Sequence, residues 1–415
     1  MTKLLPLLFC TFFLTASIGC DKEAAGPFGE LVPKQIELPA GGKEVIGNNN
    51  NFGIDLFTKT AVNEDGNLML SPLSASAALT MLLNGCEGNT YTQVRDMLGY
   101  PGNLDMTEIN EIYKSLVSQL LTVDPKVTLT LANAIFYRLD FEVKPPFLNT
   151  MDKEFGAHVE ELDFNLPASV DVINKWASDN TNGKIPHVID KISPLTVMFL
   201  MNALYFKGDW TYQFDESETK DHPFHFDDGT SVEVPTMTGN VGAKVYAGDN
   251  YRAVEMPYGQ SNFSMVVIVP DGSLHDFFHD FSSGTWSHLT TSLDEQDVFA
   301  ETTVMMPKFS FEYEKELNEP LQNMGMTDAF DPYVADLSGI SDQDIFVSFV
   351  KQNTFVEVGE EGTEAAAVTT VGIEVTSYDP DRPPRFYVDQ PFVFAIRERT
   401  TNTLLFIGGV TNPLD

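Results

Sequence analysis

Read for the spacing of its apolar residues, the chain divides into a mainly helical first half and a mainly strand second half. Phe52, Leu56 and Phe57 fall on one face of a helix. Leu73, Ala77 and Met81 fall on a second that Ser71-Pro72 opens, and Ile109, Ile112, Leu116 and Leu120 mark a third. Val127 to Leu131 alternates as a strand, Val170 to Trp176 is helical, and Asn182-Gly183 ends that helix. Val197 to Phe206 is a nearly continuous apolar run, as expected of a central strand covered on both faces. Further on, Thr303 to Phe311, Ile345 to Val358, and the runs 385–398 and 403–410 read as strands, with a turn at Arg399 to Asn402. Helices first and long strands later predict an α+β fold of large sheets with helices segregated from part of them.

Alternation also marks residues 360–376, but with unusual content. Thr363, Ala365, Ala367, Thr369, Val371, Ile373 and Val375 are uncharged, whereas the intervening set holds Glu364 and Glu374. That is a strand with one buried and one solvated face. Alanine and glycine pack poorly in sheets, so the segment is weakly committed to that state. Both an ordinary edge strand and a loop that becomes a strand later fit it. No proline occurs from Glu360 to Asp379, so each of these residues keeps an N–H to give to a ladder.

The 415 residues allow a large core. A formal net charge of −35 argues against nucleic acid and heparin-like polyanions, whose binding depends on clustered Lys and Arg. Residues 1–19 read as a signal segment: Lys3, then an apolar run from Leu4 to Ile18, too short to span a bilayer as a helix. Cys20 directly after it resembles a bacterial lipobox, with Ser17 where Leu is usual. This implies lipidation of Cys20, a membrane anchor and a cell-envelope location; simple secretion is the alternative. Residues 20–42, rich in Gly and Pro, are expected to be a tether, and 43–415 a single domain. Cys86 is left as a buried, unpaired thiol. His222 with His225, and His275 with His279, have metal-compatible spacing but read as surface residues. No metal or other cofactor is expected. The chain has no Gly-x-Ser-x-Gly elbow, and catalysis is not expected.

Several separated motifs resemble the serpins in order. They are Asn67 to Ser74, Thr181 to Ile185, Asn202 to Trp210, Met306 to Phe309, Asp336 to Gly339, Pro391 to Phe394 and Leu405 to Pro413. With them stands a hinge-like Glu360-Glu361-Gly362-Thr363-Glu364-Ala365-Ala366-Ala367. The resemblance spans Lys43 to Asp415. It implies three β-sheets, eight or nine helices and an exposed reactive loop at about 360–384. It also implies a monomeric inhibitor that forms a covalent complex with serine, and sometimes cysteine, proteases. The cut loop would insert into the main sheet with the protease held as an acyl-enzyme. Ser71, Ser74 and Asn202 would lie at the gate where the sheet parts, with Trp210 near the point of insertion. Gln352 stands where many members carry a histidine, so a histidine-based pH switch is not expected there.

Counting from the hinge by the family spacing places the scissile bond at Thr376–Ser377, with Val375 and Tyr378 as alternatives. Counting back from Pro391 places it nearer Pro380. Thr376 or Val375 suits the small pocket of elastase-like enzymes, and Tyr378 a chymotrypsin- or subtilisin-like pocket. A non-inhibitory member, acting as a binding protein, is the other reading; the small residues of the hinge argue against it.

Overall fold

The computed structural model describes residues 31–363 and 383–415. The helices among them are α1 (Gly42–Ala61), α2 (Pro72–Leu83), α3 (Gly88–Met97), α4 (Met106–Leu120), α5 (Pro145–Phe155), α6 (Ala168–Asn180), α7 (Leu274–Asp280), α8 (Ser283–Asp294) and α9 (Asn318–Asn323). The strands are β1 (Leu68–Leu70), β2 (Val127–Arg138), β3 (His158–Leu162), β4 (Met198–Asp209), β5 (Lys220–His225), β6 (Ser231–Ala247), β7 (Tyr251–Tyr258) and β8 (Phe263–Pro270). They continue with β9 (Ala300–Pro307), β10 (Phe309–Glu316), β11 (Lys351–Val358), β12 (Gly362–Thr363), β13 (Arg385–Tyr387), β14 (Phe392–Glu398) and β15 (Thr403–Val410).

Local chemistry sets the elements that matter for the site. Ser71 caps α2: its hydroxyl accepts the Ser74 N–H at 3.2 Å, and Pro72 fills the first turn, where no donor is needed. Ala75, Ala77, Leu79 and Met81 are all buried, so α2 runs through the interior, packed on β4 and β15. Asp105 and Glu108 form a reciprocal capping box at the start of α4. After α6, Asn182 and Gly183 take φ of 52° and 79°, the left-handed termination expected from the sequence.

One sheet has six strands in the order β10-β11-β12-β4-β2-β3. Within it β2 and β4 run antiparallel over eleven residue pairs, setting Asn133 opposite Asn202. The other has nine, in the order β1-β15-β14-β8-β7-β6-β9-β13, with β5 beside β6. This larger sheet is two sheets sharing one long strand. Thr236 to Ala243 of β6 pair with β9, whereas Lys244 to Ala247 pair with β7. Strands β8, β14 and β15 are buried at every residue and form the centre of the core.

Three expectations differ from the structure. Thr303 to Phe311 is two strands in different sheets: Pro307 lacks a donor, and the Lys308 N–H bonds Pro235 O at 2.9 Å, which turns the chain between them. The strand expected from Ile345 begins only at Lys351. In the stretch before it, Val347 N–H bonds Ala329 O, Leu317 N–H bonds Val350 O, and Asn318 bonds both Ser348 O and Val350 N–H. These partners meet the needs of backbone that a ladder would otherwise satisfy. Thirdly, the described part of the expected tether is not free from Lys34 onward but is strapped to the body by hydrogen bonds.

Candidate functional site

Gly359 to Thr363 form a hinge wedged into one end of the six-stranded sheet. A tight turn closes on itself through Gly359 N–H to Gly362 O (2.9 Å) and Gly362 N–H to Gly359 O (3.2 Å). The following two residues, β12, pair with β4 on one side (Gly362 opposite Asp209, Thr363 opposite Gly208) and with Val358 of β11 on the other. Only glycine fits position 362. A Cβ there would lie 2.1 Å from the Gly208 carbonyl oxygen, with backbone that cannot yield.

Residues far away in sequence fasten this hinge. The Trp210 N–H bonds Glu361 O at 2.6 Å, its indole N–H bonds Gly359 O at 2.9 Å, and the Phe214 N–H bonds Glu360 O at 2.9 Å. The Trp210 ring stacks on Tyr258 at 4.3 Å between centroids, and the Tyr258 hydroxyl meets the Thr363 hydroxyl at 2.6 Å. Thr363 is 4% exposed, so its side chain points inward.

The Glu360 carboxylate accepts from Lys308 at 2.8 Å and from the Thr219 hydroxyl at 2.7 Å. Burial pushes this carboxyl up, but the two hydrogen bonds outweigh it and hold it below the usual glutamate range. A carboxyl depressed in the folded state contributes stability above its unfolded pKa of about 4.3 and loses it as pH falls through the folded value. Acidification below about pH 4 is therefore expected to loosen the hinge. Amide exchange at Trp210 and Phe214, corrected for intrinsic rate, should accelerate in that window. The acceleration should be absent in Glu360→Gln, whose hinge is already weakened at neutral pH; wild-type protection that stays flat to pH 3 or so would refute the clamp.

Along the rest of the sheet β4 pairs with β2 and β12, and β11 pairs with β10 and β12; among the described residues no ladder joins β4 to β11. A cavity of about 400 Å³ opens between them, lined by Ser74, Leu79, Trp176, Ile189, Asn202 and Gln352 among others. At this gate the Gln352 amide clasps one residue of the helix beneath. Its oxygen accepts the Ser71 N–H at 2.8 Å and its NH2 donates to Ser71 O at 2.9 Å. The Ser71 hydroxyl donates to Leu405 O at 2.8 Å. Asn202 donates to the Asn133 side chain at 2.7 Å, and its own amide oxygen is buried without a partner. Ser71, Ser74, Asn202 and Gln352 are uncharged side chains that hold the gate by hydrogen bonds alone.

The structure thus brings Ser71, Ser74, Asn202 and Gln352 to one gate, and Glu360, Gly362, Thr363 and Trp210 to the hinge above it. Glu364, Ala365, Ala366, Ala367, Val375, Thr376, Ser377, Tyr378 and Cys20 lie outside the described residues. Sequence reading missed Tyr258, Gly208, Lys308, Thr219 and Asn133. Burial pushes the Cys86 thiol up to about 12, and its Sγ–H donates to Leu82 O, as befits an inert core residue. Among the described residues no group of three or more His, Cys, Asp and Glu could hold a metal, and no helix is long and apolar enough to cross a membrane.

Comparison with known proteins agrees with this architecture. The family model described as Serpin (serine protease inhibitor) matches residues 47–413. An uncharacterised serpin-like protein of Methanosarcina acetivorans is 30% identical over 417 residues, covering 98% of this chain and 96% of its own. Leukocyte elastase inhibitor of Sus scrofa is 35% identical over 387 residues, covering 88% and 98%. Among solved structures, the thermophilic serpin tengpin in its native state superimposes with a TM-score of 0.81 at 29% identity, covering 91% of this chain and 96% of its own. With a hinge seated at the head of a parted six-stranded sheet and a family match that runs nearly from end to end, this chain belongs to the serpin family.

Proposed function

We propose that the protein inhibits serine proteases by trapping them as it is cut. The observation that carries this reading is β12, a two-residue strand already started between β4 and β11, below which those strands share no ladder among the described residues. Continued in the same register, the six positions after Thr363 bring Thr369 opposite Asn202 on one side and Gln352 on the other. There a threonine hydroxyl can donate to the unpartnered Asn202 oxygen. The same parity turns Ala365, Ala367, Val371, Ile373 and Val375 inward and leaves Glu364 and Glu374 at the solvent face.

In this mechanism the protease serine attacks the carbonyl of the cleaved residue, forms an ester with it and releases the new amine end. The freed segment zips into the gap before water can attack the ester. Thr376–Ser377 is the bond we assign, with a protease whose pocket takes small residues as target; a relative bears the name leukocyte elastase inhibitor. Cys20 as a lipid anchor would hold this activity at a cell surface.

Mixing with elastase is expected to give a complex that survives SDS, together with a released peptide beginning at Ser377. Clean cleavage with no retained protease would sink the inhibitory reading and leave a binding role. A peptide beginning at Asp379 would move the bond to Tyr378.

A further inference from the structure

Residues 34–38 run extended over the outside of the body and are gripped by side-chain amides. The Asn262 amide accepts the Lys34 N–H at 3.0 Å and donates to Lys34 O at 2.8 Å. The Gln119 amide does the same to Glu37, at 2.9 and 2.7 Å. Between them the Ile36 N–H reaches the Thr400 hydroxyl at 3.3 Å. The Ile36 side chain, 8% exposed, enters the core cluster that also contains Leu120, Phe206, Trp210, Tyr258 and Phe263. Each amide serves one strap residue as a neighbouring strand would, so the grip is specific to this backbone path.

The strap's anchor is also the hinge's buttress. Asn262 belongs to the β7–β8 turn, residues 259–262. In that turn the Gly259 N–H bonds Asp209 O at 2.9 Å and the Thr211 hydroxyl bonds Gly259 O at 3.0 Å. Asp209 lies opposite Gly362, and Tyr258, which precedes the turn, holds the Thr363 hydroxyl. The strap and the strand end that flanks the hinge are therefore tied to the same turn. We infer that residues 34–38 are a latch that keeps the hinge closed and that their release speeds its opening. The effect on inhibitory lifetime rests on the trapping reading above; the effect on the hinge does not.

The test uses the full chain carrying Ile36→Glu, which expels the strap and changes no residue outside it. Amide exchange at Trp210 and Phe214 should quicken about tenfold or more, because local opening no longer meets the buried strap residue. The half-life of complex-forming activity at elevated temperature should shorten by a similar factor. If exchange at Lys34, Ile36 and Glu37 becomes fast while Trp210 and Phe214 exchange as in wild type, the latch is refuted. Should Ile36→Glu not fold, Gln119→Ala removes half the grip from α4 and is read in the same way. A wild type that forms no complex, with hinge amides that still loosen on strap release, keeps the latch and discards the trapping reading.

Discussion

If the protein traps elastase as proposed, Thr363→Arg is expected to convert it from an inhibitor into a substrate. Thr363 sits between Gly208 and Val358 with its hydroxyl on Tyr258 and almost no solvent contact. An arginine there must either bury a guanidinium against an aromatic core or pull the hinge out of the sheet. Burying an unpaired charge costs several kcal/mol even after relaxation, and every 1.4 kcal/mol or so added to the insertion barrier slows it about tenfold. Insertion competes with hydrolysis of the acyl-enzyme, so a delay of about 100-fold or more hands the outcome to hydrolysis. The measurement is the number of inhibitor molecules consumed per protease inactivated, with the SDS-stable complex followed on a gel. Thr363→Ser should behave as wild type, since it keeps the inward hydroxyl. Undiminished complex formation by Thr363→Arg would remove insertion through this hinge from the mechanism.

Limited proteolysis between Val375 and Tyr378 is expected to make the protein more heat-stable, the reverse of what a nick does to most domains. A severed segment free to continue β12 gains a ladder on both sides, at about 1 kcal/mol per hydrogen bond net. It also buries Val371, Ile373 and Val375, each worth roughly 1.5–3 kcal/mol when fully enclosed. Ordering the segment opposes this at about 1–2 kcal/mol per residue for the backbone, so the surplus comes from filling space the sheet already holds open. That space is the cavity of about 400 Å³ between β4 and β11, where existing side chains lack neighbours. A rise in Tm of at least about 10 °C on nicking is the expected scale for a domain of this size. Unchanged melting after complete cleavage would show that the gap is not waiting for this segment.

Much of this was legible in the sequence, for reasons that differ along the chain. Ser71-Pro72 announced a helix start and Asn182-Gly183 a helix end because caps and left-handed residues act over three or four positions. The family motifs pointed to residues that the structure places beside the gap between β4 and β11 and at β12. Of the hinge's fasteners Trp210 was legible through its motif, whereas Tyr258 and Thr219 reach the hinge across 105 and 141 residues and nothing local marks them. The hold on residues 34–37 was not legible because Gly and Pro content reads as freedom. Fixation there comes from Asn262 and Gln119, side chains far along the chain. Ile345 to Val350 carries strand-like composition, but Asn318 and Ala329 compete for its backbone, a contest periodicity does not register.

The inward direction of the Thr363 hydroxyl freezes the length of the hinge as firmly as its composition. Side chains alternate faces with a period of two, so one residue added between Gly362 and Thr363 exchanges the faces of everything after it. Glu364 and Glu374 would then be driven beneath the sheet, and Val371, Ile373 and Val375 would be turned out to water. Insertions or deletions just before Thr363 should be tolerated only in pairs, whereas a change of length between Ser377 and Pro384, which the proposed insertion does not use, should be tolerated by any number.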